Sequence, residues 1–177
     1  MIVILGCDHC LQLPPFTTGL WAGVEQTAKA QAQRHGFRAK IEELIATHGC
    51  GYVGEETNQG QLTPARDVTQ QQGLTYHDDI DMTPAQRAAQ GIPPGYNENP
   101  IYTDAHKQAW NQLREQYMYN QIQATRCTHQ SLLIICGLRH MVPLYNLFSN
   151  LGQAPMTVDV TQETWFSGPL QTDWLDE

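Results

Sequence analysis

Short apolar runs alternate along this chain with longer stretches in which apolar residues recur every three or four positions. Short continuous runs are typical of strands buried on both faces, and the three-to-four spacing is typical of amphipathic helices. The pattern predicts five strands, at residues 2–5, 50–56, 74–82, 131–137 and 154–160. It predicts helices at residues 24–35, 38–48, 64–72 and 141–151, and a further one that Thr103 caps and that continues to about residue 125.

Strands that alternate with helices indicate an α/β fold with a mostly parallel sheet of about five strands, flanked by helices. The 177 residues suit a single domain, with its core at about residues 2–160. Residues 83–101 include "GIPPGYNENP", which is rich in Pro, Gly and Asn, and we expect a loop or lid there. Residues 11–23 predict another loop, and residues 167–177 an acidic tail.

The composition of the chain excludes some kinds of binding partner. The chain has 10 Lys+Arg against 18 Asp+Glu and no Lys/Arg-rich run, so we expect no nucleic acid partner. Its apolar runs are too short for a membrane span or a signal peptide, so we expect no membrane partner. The 5 cysteines are odd in number, which favours free thiols in a reducing compartment. We expect a cytoplasmic protein, of a cell or of a virus that replicates in one.

Two buried strands each run into the pattern Gly-x-x-His. These are "GCDH", which ends at His9, and "GLRH", which ends at His140. Because parallel strands present their carboxyl ends at one edge, we expect both histidines to meet there, together with Glu55 and Glu56, which end another strand. Two imidazoles and a carboxylate can bind a metal and activate water, or can do acid–base chemistry directly.

The long predicted helix adds an arginine. Trp110, Arg114, Tyr117, Met118 and Gln121 share one face of it. An unpaired charge on an apolar face is costly, so Arg114 should contact Glu55, Glu56 or an anionic atom of a substrate. It could stabilise an oxyanion, or it could form a structural ion pair.

Other patterns are less specific. Cys7 and Cys10 form a C-x-x-C pair, which could be redox-active. His77 with Asp78, Asp79 and Asp81 could bind a cation, although a solvated acidic turn is the simpler interpretation. A histidine after a strand is often an ordinary loop residue, and "EE" is often a solvated turn.

The order of these motifs resembles that of the TIKI/TraB family. It runs from "GCDH" to "YVGEE", then to "REQYM" on a helix, and then to a second Gly-x-x-His that opens a helix. The resemblance spans about residues 2–160 and extends to a wider superfamily that includes erythromycin esterases and haem-binding ChaN-type proteins. The esterase and ChaN branches usually have Glu directly after the first glycine, where this chain has Cys7, so the TIKI/TraB side is the better match.

This resemblance implies a hydrolase-like site, because TIKI proteins are described as metal-dependent proteases and erythromycin esterases open a lactone with a histidine base. Carried over by position, His9, Glu55 or Glu56, Arg114 and His140 would form its centre.

We therefore expect a metal-assisted hydrolase that cleaves a peptide, ester or related acyl bond in a small-molecule or peptide substrate. His9, Glu55 and His140 would hold a divalent ion such as Zn, Mn or Co. One of Glu55 and Glu56 would take a proton from water, and Arg114 would stabilise the oxyanion.

Three alternatives stay open. In a metal-free version, His9 or His140 is the general base. A non-catalytic protein would use the same site to bind a small ligand, a metal or haem. The last alternative is an interaction module, viral or from a mobile element, with a vestigial pocket.

Overall fold

Five parallel strands form one sheet in the computed structural model, which describes residues 1–12, 28–56, 62–126, 128–129 and 131–168. The strands, in chain order, are β1 (Ile2–Cys7), β2 (Tyr52–Glu55), β3 (Thr75–His77), β4 (Leu132–Gly137) and β5 (Pro155–Asp159). Their spatial order is β3-β2-β4-β1-β5, and every neighbouring pair is parallel. This confirms the predicted single-domain α/β fold.

Within these described ranges, six helices accompany the sheet: α1 (His9–Gln12), α2 (Ala28–His48), α3 (Pro64–Gln72), α4 (Pro84–Ala89), α5 (Asp104–Thr125) and α6 (Leu138–Asn150). A 3₁₀ turn follows β5 at Val160–Gln162. Helices α3 and α5 begin where the sequence predicts, because Thr63 and Thr103 accept hydrogen bonds from backbone N–H groups in the first turn. No helix in the described part of the chain is both long and apolar enough to cross a membrane.

Most strand ends differ from the prediction by one or two residues, and three boundaries differ by more. The helices predicted at 24–35 and 38–48 are one helix, α2, which continues through Gly36. Strand β3 covers only Thr75–His77 of the predicted 74–82. Helix α6 begins at Leu138, directly after β4, so Pro143 lies inside the helix and not in its first turn. At this start, the carboxylate of Glu56 accepts the backbone N–H of Gly137, the residue that precedes the helix.

The segment 83–101 contains a helix that the sequence prediction missed. Thr83 and Gln86 form a capping box at the start of α4, and Pro84 occupies the first turn. Ile92 and Tyr96 further along are buried against side chains of α5. The predicted loop is therefore packed and partly helical. Residues 11 and 12 of the other predicted loop belong to helix α1. Residues 13–23 of that loop, and all but residues 167 and 168 of the predicted tail, lie outside the described residues.

Each face of the sheet has its own core. On one face, Val3, Leu5 and Val53 pack with side chains of α2 and α3. On the other face, Ile4 and Ile134 pack with side chains of α5 and α6. Because side chains alternate along a strand, neighbouring residues at a strand end point to opposite faces. This alternation decides which strand-end side chains share a site.

Gly6, the glycine of the first Gly-x-x-His, allows α6 to lie close to β1. A Cβ atom at this position would lie 2.9 Å from Sδ of Met141 and 3.2 Å from Cδ2 of Leu138. The first motif therefore provides space for the helix that the second motif opens.

A substitution in α2 tests the packing of the C-terminal segment. A Cβ atom at Gly36 would overlap the indole ring of Trp165. Gly36→Ala should therefore lower the free energy of unfolding by about 1–3 kcal/mol, although Ala favours an exposed helix by about 1 kcal/mol. In a Trp165→Ala background, the same change should stabilise the protein. Urea unfolding of the four proteins in this cycle measures both effects, and stabilisation of the parent by Gly36→Ala would contradict the packing.

Candidate functional site

The carboxyl ends of β1, β2 and β4 meet at one edge of the sheet. The chain leaves β1 toward α2, which packs on one face, and leaves the neighbouring strand β4 toward α6, which packs on the other. Such a reversal between adjacent parallel strands creates a crevice in which α/β proteins bind ligands. His9 follows β1, Glu56 follows β2 and His140 follows β4, so the crevice collects the side chains that the sequence singled out.

Glu56 lies at the centre of this site, with 1% of its surface exposed. Its Oε1 atom is 3.8 Å from Nε2 of His9, 3.6 Å from Nε2 of His140 and 3.0 Å from Nη2 of Arg114. Its Oε2 atom accepts the backbone N–H of Gly137 at 2.7 Å. The prediction that both histidines approach one carboxylate of the "EE" pair holds for Glu56.

These neighbours keep Glu56 ionised. Burial alone would raise the pKa of Glu56, but His140, His9, Arg114 and the N–H of Gly137 together lower it to about 2. A carboxylate with so low a pKa is a weak base near neutral pH. Its contribution there is a fixed negative charge between two imidazoles.

Gln12 fixes the ring orientation of His9. Its side-chain NH₂ donates to Oε1 of Glu55 at 3.3 Å and to the carbonyl oxygen of Glu56 at 3.4 Å. The amide oxygen of Gln12 therefore faces Nδ1 of His9, at 2.8 Å, and can only accept. The proton of neutral His9 is thus held on Nδ1, and Nε2 carries the lone pair that points into the crevice.

Glu55 points away from the two imidazoles. Its Oε2 atom accepts the hydroxyls of Thr63 and Tyr76, each at 2.6 Å, and it is fully buried. Burial and the adjacent Glu55 carboxylate raise the pKa of Tyr76. Because Glu55 and Glu56 are consecutive, their side chains diverge, and Glu55 contacts Gln12, Thr63 and Tyr76. Glu55 acts on the site through Gln12.

His140 is held from the other side by Glu115. Its Nδ1 atom lies 3.0 Å from Oε1 of Glu115, and only 1% of the residue is exposed. Its Nε2 atom has no hydrogen-bond partner within the described residues, because the 3.6 Å to Glu56 exceeds hydrogen-bond distance. His140 is therefore a buried imidazole between two carboxylates.

Arg114 is a buried side chain that pairs with two carboxylates, Glu56 and Asp81. It donates from Nε and Nη2 to Asp81, from Nη2 to Glu56 and from Nη1 to the hydroxyl of Tyr96. Burial alone would lower its pKa, but Asp81 and Glu56 raise it above the usual value. The expected contact with Glu56 is present, and the geometry matches the structural ion pair better than an oxyanion-binding role. The expected solvated acidic turn is wrong for Asp81, which is 1% exposed.

Gly137, the glycine of the second Gly-x-x-His, is covered by the ring of His9. A Cβ atom at this position would lie 2.6 Å from Nε2 and 3.0 Å from Cε1 of that ring. The two motifs therefore depend on each other, since the second supplies the space in which the histidine of the first lies.

The site does not fit a metal ion. Among the described ranges, no group of three or more His, Cys, Asp or Glu side chains could hold one. Of the predicted ligands His9, Glu55 and His140, Glu55 is bound elsewhere. Oε1 of Glu56 faces both imidazoles, but it already accepts an N–H of Arg114. A guanidinium nitrogen 3.0 Å from that oxygen would repel a cation bound there.

The three cysteines whose side chains the structure describes have thiols of low reactivity. Cys7 and Cys136 are buried, and burial raises the pKa of both thiols well above the usual value. Burial likewise raises the pKa of Cys50 to about 11. The side chain of Cys10 lies outside the described residues, as does all of Cys127. A thiol that stays protonated is a poor nucleophile, so Cys7 does not suit a redox pair.

Two side chains of the site, Gln12 and Glu115, were missed by the sequence analysis, and Asp81 was named there only for a cation site or a solvated turn. Gln12 follows His9 by three residues, a spacing that brings side chains together in one helical turn. Glu115 directly follows Arg114, and both are buried residues of α5. Because a buried carboxylate needs a partner, a second charged residue at this place indicates a further polar contact. Nothing in the local pattern separates Asp81 from Asp78 and Asp79.

Comparison with known proteins adds no relative, since no family model, curated protein or solved structure matches this chain.

Substitution of the central carboxylate tests its electrostatic role. The pKa of Glu56 is lowered from 4.5 to about 2. Its contribution to stability is therefore fully present above pH 4.5 and is lost as the pH falls toward 2, a change on the order of 3 kcal/mol. Urea unfolding between pH 7 and pH 2.5 should show a smaller loss of stability for Glu56→Gln than for the parent, and a lower stability for the variant at pH 7.

The matched control is Glu43→Gln, because that carboxylate is largely exposed and pairs with Lys40 at the surface. Its pH dependence should follow the parent. Parallel curves for the parent and Glu56→Gln would contradict the lowered pKa.

Proposed function

We propose that this protein is a hydrolase that cleaves a peptide, ester or related acyl bond by metal-free acid–base catalysis, with His9 as the general base. The observation that carries this proposal is the position of His9. Gln12 holds its proton on Nδ1, and Nε2 faces the crevice 3.8 Å from the ionised carboxylate of Glu56.

Each group has a role that follows from its contacts. Nε2 of His9 removes a proton from water as the water attacks the acyl carbon, and Glu56 stabilises the imidazolium that forms. The same Nε2–H then protonates the leaving group. Arg114 and Gly137 hold Glu56 in place, so they are positioning residues.

Exposure favours His9 over His140 as the base. The side chain of His9 is 21% exposed, and those of Glu56 and His140 are 0% and 1% exposed. A substrate can reach His9 from solvent, whereas His140 lies behind it. When protonated, His140 would donate from Nε2 toward Glu56 or toward a developing oxyanion.

We further propose that the resemblance to the TIKI/TraB family extends to the use of both Gly-x-x-His motifs in one site. The mutual packing of Gly137 and His9 supports this. We do not carry over the metal of the TIKI branch, because Arg114 occupies the oxygen at which it would bind. The histidine base of the erythromycin esterases is the closer chemical parallel. The free thiols of Cys7, Cys50 and Cys136 support a cytoplasmic location as part of this proposal.

A panel of chromogenic esters and a casein assay, both run in EDTA, test the catalytic role. His9→Ala should lower kcat/KM by at least about 100-fold, the usual contribution of a general base. Gln12→Leu should lower kcat by less, since the base is retained but its tautomer is no longer fixed. His35→Ala is the matched control, because His35 is an exposed histidine of α2, and it should keep parent activity.

Circular dichroism must show that each variant is folded. Activity that requires added Mn²⁺, Co²⁺ or Zn²⁺ would overturn the metal-free mechanism. Equal rates for the parent and His9→Ala would overturn the role of His9. Stoichiometric ligand uptake without turnover would favour a binding protein.

A further inference from the structure

The imidazole ring of His140 lies between two carboxylates and is almost fully buried, with 1% of the residue exposed. Its Nδ1 atom is 3.0 Å from Oε1 of Glu115, and its Nε2 atom is 3.6 Å from Oε1 of Glu56. An ionised carboxylate can only accept hydrogen bonds. Both ring nitrogens therefore face acceptors, an arrangement that suits a ring with a proton on each nitrogen.

Each neutral form of the ring has a lone pair opposite one of these oxygens. With its proton on Nδ1, His140 donates to Glu115, but the lone pair of Nε2 then faces Glu56 and has no donor among the described residues. With the proton on Nε2, the lone pair of Nδ1 lies 3.0 Å from Glu115. Repulsion of this kind is strong in a buried site, because little water is present to screen it. The doubly protonated ring avoids both repulsions.

The balance of charge around His140 favours the same form. Glu56, Asp81 and Glu115 are buried carboxylates, with at most 6% of each residue exposed. Asp81 accepts from two nitrogens of Arg114 and so balances most of the charge that would repel a second cation. The ion-pair partner of Glu115 among the described residues is His140. Burial by itself disfavours a charged ring, but the two carboxylates beside it are buried as well and need cationic partners.

Other ionisable groups in the elements around His140 do not offset this balance. Cys7 of β1 and Cys136 of β4 stay protonated, since burial raises the pKa of both thiols well above the usual value. Asp159 of β5 accepts hydrogen bonds within its own turn. Arg139, the preceding residue of α6, pairs with a surface carboxylate, and both side chains are more than a third exposed, so solvent screens their charges.

We propose that His140 is an imidazolium in the substrate-free protein, with a proton on each ring nitrogen, and that its charge lowers the affinity of His9 for a proton. Both histidines present Nε2 to Oε1 of Glu56, so a positive charge on one opposes a positive charge on the other. Nε2 of His9 then accepts a proton, while Nε2 of His140 donates toward Glu56. The effect on catalysis rests on the proposed hydrolase, in which His140 is a positioning residue that keeps His9 unprotonated and able to act as a base.

Long-range ¹H–¹⁵N spectra of the histidine rings test the charge directly. At pH 7, His140, assigned through its own backbone signals, should show two protonated ring nitrogens. Glu115→Gln keeps an oxygen that can accept from Nδ1 but removes a negative charge, so His140 should lose a proton at a pH at least about one unit lower than in the parent. The matched control is Glu43→Gln, which changes an exposed carboxylate and should leave this titration as in the parent.

The pH at which His9 loses its proton tests the coupling. Gln cannot carry a positive charge, so His140→Gln should move the titration of His9, followed at Hε1, to higher pH by about one unit or more. Loss of packing alone would weaken the contact with Glu56 and move the titration to lower pH. His35→Gln replaces an exposed histidine of α2 and should leave the titration of His9 unchanged. In activity assays, the rising limb of kcat/KM against pH should move together with the titration of His9.

Two results would overturn the proposal. The first is a neutral ring of His140 at pH 7, with its proton on either nitrogen, and this test needs no variant, so it decides even where His140→Gln does not fold. The second is a titration of His9 in folded His140→Gln at the same pH as in the parent, or at a lower one. Neither measurement uses a substrate, so an inactive protein would overturn the proposed hydrolase while both results still decide the charge of His140.

Discussion

The ionised carboxylate of Glu56 is the group around which this end of the molecule is organised. A buried negative charge is stable only when it is paired and hydrogen-bonded, and Glu56 has partners in strand β4 and in helices α1, α5 and α6. The imidazoles of His9 and His140, the guanidinium of Arg114 and the N–H of Gly137 all face its two oxygens. Removal of the charge would take from Arg114 one of its two carboxylate partners, the other being Asp81.

The same interaction explains why Gly-x-x-His occurs twice in one chain. Each glycine removes a side chain that would block the other motif. Gly6 leaves room for Met141 of α6, and Gly137 leaves room for the ring of His9. Each histidine then presents Nε2 to Glu56, while Nδ1 is held by a residue outside the motifs, Gln12 or Glu115. A pair of strands that are neighbours in the sheet thus forms one site with a single shared carboxylate.

Sequence patterns could predict the sheet, the starts of α3 and α5 and the convergence of His9 with His140. These depend on local propensity and on the common direction of parallel strands. The choice between Glu55 and Glu56 could not be predicted, because it depends on where β2 ends and which face each residue takes. The burial of Asp81 could not be predicted either, since its partner Arg114 is 33 residues away along the chain. The helix in 83–101 could have been predicted, because Thr83 and Gln86 have the spacing of a capping box.

The position of the His9 ring is the most direct test of this account. In the structure, Cε1 of His9 lies against Gly137, and Gln12 accepts a hydrogen bond from Nδ1. NMR spectroscopy should therefore detect a nuclear Overhauser effect between Hε1 of His9 and an Hα of Gly137. Long-range ¹H–¹⁵N spectra should show that neutral His9 carries its proton on Nδ1. A ring without contact to Gly137, or a neutral ring protonated on Nε2, would contradict the proposed arrangement.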